Sequence, residues 1–195
     1  MDVKKYGKLL SLNIIDSKPY LSKKKLKTSD WRLNNRSILI TNNLIHYLDL
    51  IFFKFGEIKN DFQIFSSKSN YKFKLHDNIN FSSKVKNILI NIYVSYSAAL
   101  DKRVIIYFQK SKVILNDKFI KIYYPTNQTS KNNFLVEGKL IKKLKINGLG
   151  EESNIKSVDY FLRLVKNKKN VSKKETQINL LTTQFILNLS KKLLS

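Results

Sequence analysis

The chain has 195 residues, of which 43% are hydrophobic and 12% aromatic. That is enough apolar material for one core or two small ones, and it excludes a disordered tail. Lys and Arg total 37 against 14 Asp and Glu, for a net charge of +23 and a sequence pI near 10.0, the balance of a protein that meets a phosphate-rich partner. The absence of cysteine excludes disulfides, thiolate metal sites and a Cys nucleophile.

Lys, Asn, Ile, Phe and Tyr abound while Gly (5) and Pro (2) are scarce, so residues with AT-rich codons are favoured throughout. Codon bias alone would raise Glu together with Lys. The excess of Lys over Glu therefore points to a polyanionic partner.

Residues 1–36 read as a basic, irregular or partly extended arm. The opening MDVKKYGKLLSLNIID contains Asp2 and Asp16, has no arginine and lacks a continuous apolar core, so neither a transit peptide nor a secretory signal is expected. Further on, Lys23, Lys24, Lys25, Lys27, Arg32 and Arg36 interleave with Tyr20 and Trp31. Such a run is either a solvated lysine surface or an arm that neutralises phosphates while Tyr20 or Trp31 stacks on a base. TNNLIHYLDLIFFKF, residues 41–55, suits an amphipathic helix with Leu44, Leu48, Ile51 and Phe55 on one stripe, Thr41 as its cap and Gly56 as its stop. His46, Asp49 and Lys54 interrupt this run, which is far too short to span a bilayer.

From about 61 to 147 the pattern changes to short β-prone runs: FQIF, YKFKL, NILINIYVSY, RVIIYF, KVIL, FIKIYY, NFLVEG and LIKKLKI. Asn116-Asp117 and Asn127-Gln128 suggest hairpin turns, and Pro125 ends the strand before it. Two helices follow, one over 153–166 and a terminal one. The latter opens on the capping pattern Ser172 to Glu175 and carries the stripe Ile178, Leu181, Phe185 and Leu189. The expected fold is α+β, a mainly antiparallel sheet with packed amphipathic helices and a basic N-terminal arm. Its parts are the arm (1–36), an N-terminal α+β part (37–100), a strand-rich part ending in a helix (101–170) and a C-terminal amphipathic helix (171–195).

Gly148-Leu149-Gly150 stands between a strand and a helix, where free N–H groups can hold phosphate. Glu151 and Glu152 occupy the helix entry, and no Gly-Lys-Ser/Thr or complete Gly-x-Gly-x-x-Gly follows. The turn is therefore read as structural. Lys142, Lys143 and Lys145 before it, and Arg163, Lys166, Lys168, Lys169, Lys173 and Lys174 after it, are expected to form an RNA-binding surface that positions the protein on phosphates.

No arrangement in the sequence points to catalysis. The acids are scattered, there is no His-Glu metal motif or serine elbow, and His46 and His76 are isolated, so both read as structural histidines. Neither enzymatic activity, nor a cofactor, nor a metal site, nor a small-molecule substrate is expected.

Basic, cysteine-free and without catalytic motifs, the chain resembles organelle-encoded ribosomal proteins of AT-rich protist genomes. Within it, residues 104–169 resemble the C-terminal half of the large-subunit ribosomal protein six family. Leu144 to Gly148 stands for the strand, Ile155 to Val165 for the helix, and Lys166, Lys168 and Lys169 for its basic end, while Pro125 closes the preceding strand. The family's Gly-Val-Gly-Tyr segment, Ser-His-Pro motif and lysine-glycine-rich tail are missing. The resemblance implies a structural constituent of the mitochondrial ribosome, located in the matrix, with ribosomal RNA and neighbouring ribosomal proteins as partners and no transmembrane segment. Two other readings stay open: an accessory subunit of an organellar membrane complex, in which lysines meet anionic lipid, and a basic maturase or nuclease fragment.

Overall fold

Alternating apolar residues make strands when one face can be buried, and the described strands form one eight-stranded sheet. The computed structural model describes residues 3–22, 31–58, 61–69, 72–126, 138–146, 162 and 173–194. After a short helix α1 (Val3–Tyr6) come β1 (Leu9–Ser17) and a 3-10 turn (Tyr20–Ser22). A π-helical turn (Ile40–Leu44) then runs directly into α2 (Ile45–Phe55). The remaining strands are β2 (Phe62–Ser67), β3 (Asn78–Val85), β4 (Ile88–Ser95), β5 (Asp101–Phe108), β6 (Ser111–Asn116), β7 (Phe119–Tyr124) and β8 (Lys139–Lys145), and α3 (Lys173–Leu194) follows. Their order across the sheet is β2-β3-β4-β1-β5-β6-β7-β8. β1 runs parallel to β4, and the other neighbouring pairs are antiparallel.

The expected α+β class with a mainly antiparallel sheet is found. The expected basic N-terminal arm is not, because residues 9–17 form the strand at the centre of the sheet. LLSLNIIDS places Leu12, Ile14 and Asp16 on one face, all buried. The net charge of the surrounding lysines hid this period-two pattern. β3, NINFSSKV, was also absent from the expected strands. Its buried Ile79, Phe81, Ser83 and Val85 alternate with polar residues, as in any strand with one wet face. YKFKL forms no strand: residues 72–75 are a turn. The Asn116 turn is present, its Oδ1 accepting from the N–H groups of Lys118 and Phe119 at 3.0 and 2.8 Å. NFLVEG up to Glu137 and Asn127-Gln128 lie outside the described residues.

The helices cover one face of the sheet. Row by row, Ile64, Phe81, Ile92, Ile14 and Val104 stand opposite one another across β2, β3, β4, β1 and β5. Leu44, Leu48, Ile51 and Phe52 pack on that surface fully or almost fully buried. α2 ends where expected, with Gly56 at φ 92° and its N–H donating to the Phe52 carbonyl, a conformation glycine adopts without penalty. Its start is displaced. Asn35 Oδ1 accepts from the Ser37 N–H at 3.0 Å, and Thr41 Oγ1 turns back to the carbonyls of Ser37 and Ile38, so Thr41 lies inside the helical run and is not its cap.

α3 docks beside α2 through Ile186 and Leu189, which are buried, and Phe185, which is half-buried. The Phe185 ring lies 5.5 Å from Phe52, 5.1 Å from Phe62 and 6.2 Å from Phe81, edge-on to all three, the geometry aromatic quadrupoles favour. Phe185→Ala should cost about 3 kcal/mol in urea unfolding. Leu187→Ala, at an exposed position of the same helix, should change stability by less than about 0.5 kcal/mol; equal effects would mean that α3 is not held by its aromatic contact.

Candidate functional site

The inward row of β1 changes character at its carboxyl end. After Leu12 and Ile14, the next inward residue is Asp16, only 4% exposed, opposite Val94 of β4 and Lys102 of β5. A buried carboxylate is costly unless hydrogen-bonded or paired. Here Asn43 Nδ2, from the π-helical turn, donates to Asp16 Oδ2 at 3.2 Å, and the Lys18 ammonium lies 3.5 Å from Oδ1. Tyr96, just beyond β4, donates from its hydroxyl to Asn43 Oδ1 at 2.8 Å and accepts from Asn42 Nδ2 at 3.1 Å. A polar network thus links the ends of β1 and β4 to the start of the helix, at the position where parallel strands of open sheets present their ligands.

A cavity of about 570 Å³ opens over this network, lined by Asp16, Lys18, Tyr20, Arg32, Asn42, Asn43, His46, Tyr47, Tyr96 and Lys102. Its size is that of a small-molecule site. The π-helical turn places Asn42 and Asn43 together at its wall, a role that such irregular turns serve at functional sites. Tyr20 packs on Tyr96 with ring centroids 5.2 Å apart, and the Arg32 guanidinium lies 5.4 Å from the Tyr20 ring centre. His46 lines this cavity and also a smaller one of about 230 Å³ with Ile45, Asp49, Asn179, Thr182 and Thr183 between α2 and α3, where Thr182 Oγ1 donates to Asp49 Oδ1 at 3.2 Å. Burial, and next the Asp16 carboxylate, push the Tyr47 phenol far above its ordinary value of 10.0.

Of the residues expected to bind RNA, the described ones lie on three elements of the chain. Trp31, Arg32 and Arg36 lie in the turns before α2; Trp31 is 62% exposed, and Arg32 sits against both Tyr20 and Trp31. On β8, Lys143 and Lys145 stand opposite Lys121 and Phe119, while Lys142 stands opposite Ile122 on the other face of the strand. Lys143 covers the Phe119 ring at 4.2 Å. Lys173 is exposed at the start of α3. Lys23, Lys24, Lys25, Lys27, Arg163, Lys166, Lys168, Lys169 and the Lys174 side chain lie outside the described residues, as do Gly148-Leu149-Gly150 and the helix expected over 153–166 apart from Leu162. Among the described ones, Arg32 alone lines the cavity. His46, taken from sequence as structural, is its one imidazole. The available signal was the spacing Asn42, His46, Asp49, which puts three polar groups near one face of an otherwise apolar helix.

No protein-family model matches the chain, and no curated protein sequence does either. The fold has clear counterparts among solved structures. An oxidoreductase from Thermotoga maritima superposes with a TM-score of 0.67 at 17% identity, over 93% of this chain and 51% of that one. Levoglucosan dehydrogenase, solved with NADH and levoglucosan, gives 0.67 at 12% identity, over 96% and 58%. A Gfo/Idh/MocA family oxidoreductase from Vibrio cholerae gives 0.61 at 11% identity, over 96% and 54%. The chain spans about half the length of these proteins.

These neighbours correct the expectation of a mitochondrial ribosomal constituent that binds ribosomal RNA among ribosomal proteins, and equally the membrane-complex and maturase alternatives. The fold is one that dehydrogenases carry. The expectation of a non-enzyme without a small-molecule substrate is corrected with it, toward an enzyme-type fold. The likeness of residues 104–169 to the ribosomal protein six family fails for a physical reason. Residues 101–145 supply β5 to β8, a meander extending a sheet centred on β1 and β4, and short alternating runs ended by proline occur in any such meander. Net charge misled as well, because it reports how many lysines there are and not whether they share a surface.

Because the Tyr47 phenol is raised in the folded state, its stabilising contribution is complete below the unfolded phenol value of about 10 and is lost as pH rises above it. Urea unfolding of the wild type and Tyr47→Phe, compared from pH 8 to 11, should show the wild type losing more stability above about pH 10. Parallel curves would mean that Tyr47 is not buried against Asp16.

Proposed function

We propose that this chain is the substrate-holding sheet unit of an oxidoreductase-type protein, and that the cavity at the carboxyl ends of β1 and β4 holds a small hydroxyl-bearing molecule. The observation that carries this is the cavity itself. An imidazole, two carboxamides and three phenols line it around a hydrogen-bonded buried carboxylate, on a fold shared with a dehydrogenase of levoglucosan. Carboxamides and phenols both donate and accept, as recognition of hydroxyl groups demands. His46 is the group suited to exchange a proton with a bound hydroxyl, since an imidazole carries both a donor and an acceptor nitrogen. Asn43 and Tyr96 position Asn42 and hold the rim of the cavity against Asp16.

The described residues do not fit a dinucleotide. Dinucleotides sit on a doubly wound parallel sheet with helices on both faces and a glycine-rich turn after the first strand. In this sheet only β1 and β4 run parallel, α2 and α3 share one face, and β1 leads into Ser17-Lys18-Pro19. On this proposal the nicotinamide belongs to a separate nucleotide-binding unit, and the present residues bind, orient and deprotonate.

Backbone NMR of the full chain, titrated with glucose, glucuronate and glucose 1-phosphate, should shift Asn42, His46 and Tyr96 with at least one of them. His46→Gln should keep the fold and weaken that binding about fivefold, the worth of one hydrogen bond of about 1 kcal/mol. No response to any of the three would overturn the proposal. NADH fluorescence should be unchanged by the chain alone; enhancement would place a nucleotide site within it.

A further inference from the structure

His46 borders two cavities. The first, over Asp16, takes Asn42, Asn43, His46 and Tyr47 from the helical run. The second, of about 230 Å³, takes Ile45, His46 and Asp49 from α2 and Asn179, Thr182 and Thr183 from α3. Residues three and four apart share one side of a helix, so His46 stands where that run turns from one cavity toward the other. It is itself exposed, and both cavities touch the same imidazole.

The second cavity offers hydrogen bonds around one carboxylate. Thr182 Oγ1 lies 3.2 Å from Asp49 Oδ1 and 3.0 Å from the Ile178 carbonyl, sharing its one proton between them. After that bond the Asp49 carboxylate retains acceptor positions, because its two oxygens offer about four. Thr183 Oγ1 donates to the Asn179 carbonyl at 2.8 Å, which leaves the hydroxyl oxygen to accept. Asn179 and Thr183 are exposed on α3, and the Asn179 carboxamide both donates and accepts. Ile45, half-buried, supplies an apolar wall. Such a set complements a ring that carries hydroxyls on its rim and C–H groups on its faces. The described lining holds neither Lys nor Arg, so nothing there selects an anion.

We infer that the molecule bound here is a glycoside of two units, one over Asp16 and the second, a neutral glycosyl group, in the cavity between α2 and α3, with the linkage passing His46. The inference rests on the proposed hydroxyl-binding site and adds to it a second subsite with residues of its own. Asp49, Asn179 and Thr183 are the groups that select the second unit, and Thr182 is a positioning residue that holds Asp49. Together the two cavities lie toward the upper end of the roughly 300–1,000 Å³ typical of small-molecule sites, which is room for more than one ring.

Isothermal titration and backbone NMR of the full chain with glucose, maltose, cellobiose and gentiobiose test it. At least one disaccharide should bind about fivefold or more tightly than glucose, the worth of one added hydrogen bond. It should shift Asn179 and Thr183, which glucose leaves unmoved. Asn179→Ala combined with Thr183→Val, both at exposed positions, should bring that disaccharide down to the affinity of glucose without altering glucose binding. Asn179→Lys, which fills the second cavity from the same exposed position, should do likewise. Equal affinity for glucose and all three disaccharides, or a disaccharide advantage that survives both variants, would overturn the second subsite and leave the first standing. Binding of glucuronate or glucose 1-phosphate with no disaccharide bound would do the same. Failure of every sugar would instead overturn the proposed site, and this inference with it.

Discussion

The parallel pairing of β1 with β4 is the constraint on which the rest of this structure depends. Antiparallel neighbours can be joined by a tight turn, but parallel neighbours require the chain to cross from one end of the sheet to the other. Here the crossing is made by the π-helical turn and α2, followed by the β2-β3-β4 meander. α2 is thereby laid over Ile14, Ile92 and Phe81, and its fully buried Leu48 and Ile51, with Leu44 of the π-helical turn, close the core. α3 then finds its place against Phe52 and Phe62 through Phe185.

The same crossing creates the site. Two parallel strands end side by side, and the chain leaving β1 must turn above them, so a cleft opens between strand ends and helix start. Inward-facing positions there are too near solvent to be filled economically by apolar side chains, and Asp16 follows Leu12 and Ile14 in the same row. Its burial is tolerable because Asn43 and Lys18 meet it directly, while Tyr96 holds Asn43 in position. Such a network is sensitive to each member, since a buried polar group left without its partner loses more than the bond was worth.

Opposite this layer lies a sheet face of different character. Ser82 donates to Asn91 and Asn91 to Asn13, a polar ladder across three strands, while toward β8 the same face carries Lys112, Lys121 and Lys143. At the sheet margin, β8 is KLIKKLK and exposed along its length, and its lysines are a common means of keeping an edge strand from pairing with another chain. The four lysines of β8 are therefore accounted for by edge protection without a nucleic-acid partner.

Much of the local structure was legible in the sequence: the helix stripe from Leu44 to Phe55 with its stop at Gly56, the terminal helix through Phe185 and Leu189, the Asn116 turn, and most strands of the meander. These are decided by periodicity and turn chemistry within a few residues. β1 and β3 were missed because lysines or serines flank their apolar alternation, and only pairing on both sides makes such segments strands. Of the site, the sequence singled out Arg32 and not the residues around it. Asp16, Arg32, His46, Tyr96 and Lys102 are scattered from residue 16 to residue 102, and nothing in the spacing of one to the next says that they meet. What joins them is the strand order, set by long-range pairing of β1 between β4 and β5. The sequence by itself determined the elements and the excess of positive charge; only the tertiary structure decided which few of those charges surround a cavity, because proximity across a sheet depends on register and not on distance along the chain.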